Sequence, residues 1–239
     1  MITAHLKKVR LRSAISAEEE RVIRGLISET RTFPPDRMIV RAGEKLTNSL
    51  LLLDGWLIRC KDLPSGDRQI MEIHVAGDFA DLHGFTLKRL DHDIVTISDC
   101  VIGVVPHDRL NEITEKYPHL TRVYWLLTNI DAAIAREMAL SLGQRSAISR
   151  MAHLFCELHV RLGVAGKSGE SAFEFPMTQR EMAECLGLTV VHVNRTLQEL
   201  RRRRVVETAN GQLVILDKKA LAALAEFDPL YLQLERRVL

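Results

Sequence analysis

The chain has 239 residues, 46% of them apolar and 27% charged, which is too apolar for a disordered polypeptide. At ~150 residues per domain this length fits one large domain or two small ones. A formal charge of +2 argues, as a whole-chain average, against a strongly basic protein. Apolar runs such as Leu50–Leu53 fall far short of the ~20 residues that span a bilayer. The N-terminus lacks the apolar core of a signal peptide, so a cytoplasmic protein without a membrane partner is expected.

The first thirty residues read as helical. Ser16 and Glu19 form a capping-box pair ahead of Val22, Ile23, Leu26 and Ile27. Phe33-Pro34-Pro35-Asp36 ends that pattern. From Arg37 to Pro106, short apolar runs alternate with turn signals. The runs are Met38–Arg41, Ser49–Leu53, Trp56–Lys61, Gln69–Val75, Ile94–Ile97 and Val101–Val105. Such spacing predicts an antiparallel barrel or jelly roll, and Asp54-Gly55 reads as a hairpin turn.

A long helix is predicted over Tyr117–Leu142, with Pro118 in its first turn. Leu120, Val123, Leu127, Ile130, Ile134 and Met138 recur at three- and four-residue steps. That seam fits either a core helix or a helix pairing with a copy of itself. Helix resumes from Ser146 to about Leu162, and Gly163–Gly169 reads as a loop.

The segment Thr178–Val206 carries the most chemistry. Thr178 caps a short helix with Glu181 as its box partner, Gly187 makes the turn, and Thr189 caps a second helix to about Arg203. Two short helices around a glycine turn are the helix-turn-helix signature. At 100° per residue, Val193, Leu197 and Leu200 point inward. Val191, Arg195, Gln198 and Arg202 lie opposite, flanked by His192 and Asn194, and Val190 joins them at the helix start. Such a face suits a major groove, with Arg reading guanine and Val meeting thymine methyls. Thr178, Gln179 and Thr189 are placed for phosphates. Val205–Glu207, Asn210-Gly211 and Gln212–Leu216 then read as the hairpin of a winged helix, and Asp217 caps a last helix. The net charge conceals this: residues 144–239 hold 14 basic and 11 acidic side chains, the rest 19 and 20.

Thr178 through Leu200 resembles the helix-turn-helix of the Crp–Fnr family of bacterial transcription regulators. Ala42-Gly43-Glu44, Leu53-Asp54-Gly55 and Gly77-Asp78-Phe79 are similar to turns of its cyclic-nucleotide-binding-like domain. The resemblance implies an α+β chain in three parts. These are a β jelly-roll sensor at 1–116, a dimerisation helix at 117–143 and a winged helix-turn-helix at 144–239. It also implies a homodimer on a palindromic double-stranded DNA operator, with RNA polymerase as a further partner. Where the family's cyclic-AMP responders carry an Arg-Glu pair on the recognition helix, this chain has Val190-Val191; Arg195 matches a later Arg.

The family's nucleotide binders place Gly-Glu and Arg-Ser around the ligand. Here Asp81-Leu82 and His92-Asp93 stand in those places, with Lys88 and Arg89 close by. Asp81, Leu82, Lys88, Arg89 and His92 are therefore the candidate effector residues, and no cyclic nucleotide is expected, since Asp81 would repel a phosphate. The four cysteines, Cys60, Cys100, Cys156 and Cys185, are too dispersed for an iron–sulfur or zinc site. No cofactor, metal or catalytic residue is expected. An alternative is a cupin-like binder of a small molecule or metal, using Glu72 and His74 on one strand, with the C-terminal domain mediating protein contacts.

Overall fold

The computed structural model describes residues 2–236. Helices α1 (Thr3–Arg12) and α2 (Ala17–Arg24) open the chain. The predicted capping box is formed: Glu19 N donates to Ser16 Oγ at 3.1 Å, and Ser16 N to the Glu19 carboxylate at 2.9 Å. Strand β1 (Glu29–Phe33) then begins where helix was expected. Its Thr30, Thr32 and Phe33 favour extended backbone, but it is an exposed edge with no apolar alternation to reveal it.

Six further strands complete the roll: β2 (Met38–Val40), β3 (Asn48–Asp54), β4 (Trp56–Asp62), β5 (Arg68–Val75), β6 (Asp93–Thr96) and β7 (Cys100–Pro106). A one-turn helix, α3 (Gly84–Leu87), precedes β6. The strands form two antiparallel sheets, ordered β1-β7-β3 and β2-β6-β4-β5. Asp54-Gly55 is therefore not a hairpin turn. It is a corner at which the chain leaves one sheet for the other, since β3 pairs with β7 and β4 with β5 and β6. Gly55 has φ +89°, and a Cβ there would stand 2.2 Å from the Asp99 carbonyl oxygen. The tight-turn chemistry was legible, but pairing is set by partners distant in sequence.

After the unanticipated α4 (His107–Lys116) comes α5 (Pro118–Gln144), as long as predicted. Its apolar seam, however, faces its own chain. Leu120 and Val123 are buried with Leu6, Val9, Leu51, Leu110 and Ile113. Ile130 and Ile134 are buried against Leu232, and Leu127 and Met138 are half-buried. The seam is core, because α5 rests on the roll with its first half and on the C-terminal segment with its second. Its open face is Trp125, Asn129, Ala132, Arg136 and Ala139, which also alternate four- and three-residue steps.

Helix α6 (Ala147–Ala165) runs further than read, through Gly163, and ends at Gly166 in the left-handed region. Then follow β8 (Ala172–Glu174), α7 (Gln179–Leu186), α8 (Val190–Arg202), β9 (Val206–Ala209), β10 (Gln212–Ile215) and α9 (Lys218–Ala225). The wing has three strands, β8-β10-β9. Its tip is the expected Asn210-Gly211, with φ +52° and +74°.

The two halves are not separated. Trp56, Ile58, Ile70, Ile73 and Val75 of the roll belong to one buried cluster with Phe155, Phe175, Met182, Leu186 and Val193 of the C-terminal domain. Trp56 meets Phe175 edge to face at 6.1 Å, and Gln69 Nε2 donates to the Cys185 carbonyl at 3.2 Å.

Candidate nucleic-acid interface

The turn between α7 and α8 follows from three local features. Thr178 Oγ1 accepts from Glu181 N at 3.2 Å, and the Glu181 carboxylate accepts from Thr178 N at 2.6 Å. Gly187 has φ +61°, and Thr189 Oγ1 accepts from His192 N at 3.2 Å to start α8. Val193, Leu197 and Leu200 are buried on Phe155, Met182 and Leu186, as the helical angle predicts. The opposite surface presents Val190, Val191, His192, Asn194, Arg195, Gln198 and Arg202, all exposed. Burying the apolar stripe orients the polar one; no other face of this helix is available to a partner.

The expected contact residues differ in how free they are. Arg195 is exposed and makes no ion pair among the described residues. Arg202 donates twice to Glu199 at 2.8 Å, and Arg203 Nε donates to the same carboxylate at 2.7 Å. Those hydrogen bonds hold Glu199 down to about 2. Arg180 pairs with Glu184, and Arg201 donates to Thr208 on the wing. The four consecutive arginines 201–204 at the end of α8 are thus partly compensated within the domain, which sequence arithmetic could not show. Asn194 Nδ2 donates to Gln179 Oε1 at 3.2 Å, tying the recognition helix to the start of α7. The Thr178 hydroxyl donates to Glu181 at 2.8 Å, so it is less free for phosphate than the reading of it as a donor implies. Arg204, exposed with φ +54° at the helix end, is a cation that the site reading passed over.

The candidate effector residues separate into two groups. Asp81 is fully buried: its Oδ1 accepts from Leu50 N at 2.6 Å, its Oδ2 has no partner, and burial pushes it up to about 7. Leu82 and His92 are also buried, and the His92 ring lies 5.4 Å from that of His83. Lys88 and Arg89 instead lie at the surface. Lys88 Nζ sits 4.7 Å over the Phe85 ring, and Arg89 donates to the Gly43 carbonyl. The structure therefore does not gather the five into one site. Between the sheets, Leu52, Leu57, Ala80, Leu90, Ile94 and Ile102 pack together.

Arg59, which the sequence did not single out, is the roll's buried cation. It donates to the Ala80 carbonyl and Glu72, each at 2.6 Å, and to Asp131 of α5 at 3.3 Å. Three of its five N–H groups are committed in this way, and its charge is matched by two carboxylates. His74 and Glu72 share a strand, 3.9 Å apart and buried, but among the described residues no group of three or more His, Cys, Asp or Glu could hold a metal. The four cysteines are all buried, and burial raises Cys60 to about 11 and Cys156 and Cys185 to about 12.

A double-sheet roll, a long helix and a winged helix-turn-helix with a polar recognition face define a DNA-binding transcription regulator. Residues 30–117 match the cyclic nucleotide-binding domain family, and residues 149–224 the Crp-like helix-turn-helix domain. The chain is 29% identical over 184 residues to the nitrogen fixation regulation protein FixK of Bradyrhizobium diazoefficiens, covering 76% of each. It is 24% identical to electron transport regulator A of Shewanella oneidensis, over 88% of this chain and 84% of that one. The solved structure of FixK2 from Bradyrhizobium japonicum shares the fold, with TM-score 0.76, 24% identity, and coverage of 83% of this chain and 98% of that chain. The chain belongs to the Crp–Fnr family of transcription regulators.

Proposed function

We propose that the protein works in the cytoplasm as a homodimer, placing two α8 helices in successive major grooves of a palindromic operator. The observation that carries this reading is the exposed face of α8 with the unpaired Arg195 at its centre. Arg195 would bond a guanine, and Val190 and Val191 would meet thymine edges. The second copy would pack along Trp125, Asn129, Ala132, Arg136 and Ala139, the heptad-spaced surface that α5 leaves open. Trp125 is 67% exposed there, beside an apolar groove of about 310 Å³ that includes Phe85, Leu110, Ile113 and Tyr124. RNA polymerase is the expected further partner, and the protein is not an enzyme.

Neither a cyclic nucleotide nor an iron–sulfur cluster is part of this proposal. A leucine-packed roll interior and an Asp81 buried beneath it, with its Oδ1 held by Leu50 N, disfavour a cyclic phosphate. Single buried cysteines on distant elements disfavour a cluster. Selection of bound sequences from a randomised DNA pool tests the central reading. Enrichment of a palindrome with half-sites ~34–36 Å apart is expected. A pool that stays random, or an enriched site without symmetry, would overturn it.

A further inference from the structure

A second buried place lies outside both the recognition face and the roll interior. Lys8 and Arg12 of α1, Asp78 of the β5 turn, Asp131 of α5 and Arg161 of α6 surround a cavity of about 50 Å³. At ~10–15 Å³ per water, that is room for about three to five waters, or an anion of similar size. The remaining wall is apolar, including Leu127, Ile130, Ile134 and Val164.

The charges around it are unevenly matched. Lys8 Nζ donates to Asp78 at 2.5 Å and Arg161 to Asp78 at 3.0 Å, and Arg161 has a second carboxylate in Glu157 at 2.9 Å. Asp131 is taken by Arg59. Arg12 is left with two backbone carbonyls, of Lys8 and Leu232, each at 2.9 Å. It makes no ion pair among the described residues, it is only 7% exposed, and its buried Nε has no partner. A buried guanidinium without a carboxylate is costly unless an anion completes it. The crowding is felt by Lys8, which burial and the neighbouring Arg161 and Arg12 lower to about 8 against the pull of Asp78.

We propose that this cavity binds a short-chain carboxylate of the size of acetate or propionate. Its carboxylate would accept from Arg12, whose planar fork suits that geometry, and its alkyl end would lie on the leucine and isoleucine wall. A bare halide would leave that wall empty, and a phosphate would bring a second charge into it. A ligand here touches the roll, α5 and the DNA-binding half together, so its occupancy couples all three without entering the roll.

Thermal unfolding of the full chain in sodium acetate, propionate or butyrate, against sodium chloride at matched ionic strength and pH, tests the site. A saturable rise in Tm with acetate or propionate is expected, absent with chloride. Arg12→Gln should weaken the response at least tenfold. Leu127→Phe, which fills the cavity without removing a charge, should abolish it even if Arg12→Gln folds poorly. Equal shifts in all salts, or unchanged responses in Leu127→Phe, would overturn the site and leave ordered water as its content.

Discussion

Arg161 of the DNA-binding half donates to Asp78 of the sensor roll at 3.0 Å, with both side chains largely buried. The same guanidinium reaches Glu157 at 2.9 Å and the Ile73 carbonyl at 2.8 Å, and Asp78 in turn accepts from Lys8. This joint fixes how the recognition helix is carried relative to the roll. Removing Arg161 leaves the buried Glu157 without its cation, and breaking a buried pair in this way typically costs ~3–5 kcal/mol. Arg161→Met should therefore lower unfolding stability by about that amount in urea titration. Combined with Asp78→Asn, the loss should be less than additive; strict additivity would mean that the two do not act as a pair.

Base reading by Arg195 has its own signature. Arg195→Ala should cost ~1–3 kcal/mol and relax specificity at one operator position, as measured by binding to single-base variants. Arg202 begins paired with Glu199, so Arg202→Ala should weaken all sequences alike and flatten the salt dependence. An equal loss on every sequence for Arg195→Ala would reduce that residue to a phosphate contact.

The two faces of α5 predict opposite phenotypes. Ala132→Glu lies on the open face and should give a monomer by light scattering that keeps the wild-type circular-dichroism spectrum, since its side chain packs on nothing within its own chain. Ile130→Ala removes side-chain volume packed against the chain's own Leu232 and should cost ~2–5 kcal/mol in unfolding while leaving a dimer.

Asp81 makes stability depend on pH in a definite direction. Burial raises its carboxyl from 3.8 to about 7, so the folded state favours the protonated form. Its contribution is fully present below the unfolded value near 3.8 and is lost as pH rises toward 7. Asp81→Asn cannot ionise. Relative to wild type, it should gain on the order of a few kcal/mol between pH 4 and pH 7, read by denaturant unfolding at each pH. A constant difference across that range would show that Asp81 ionises freely in the fold.

Local chemistry was legible from the residues. The Ser16 and Thr178 capping boxes, the Gly187 turn, the Asn210-Gly211 tip and the inward stripe of α8 all follow from interactions within a few residues along the chain. So does the recognition face, because once Val193, Leu197 and Leu200 are buried the remaining surface of the helix is determined. The edge strand β1 and helix α4 were missed for want of an apolar period or a capping side chain.

What only the tertiary structure decided concerns partners far apart in sequence. Apolar periodicity shows that a face is buried, but not by what. Hence the α5 seam proved to be packed on its own chain, and the open face, poorer in large apolar residues, was silent. The Asp54-Gly55 turn joined two sheets because strand pairing is chosen by β7, β5 and β6. The buried charges of Arg12, Arg59, Asp78 and Arg161 come from separate elements, and their meeting depends on the packing of the whole chain. By itself the sequence determined the helix-turn-helix and the polar face of its second helix, through short-range spacing. The fold decided what that helix is coupled to, since burial and charge pairing are long-range.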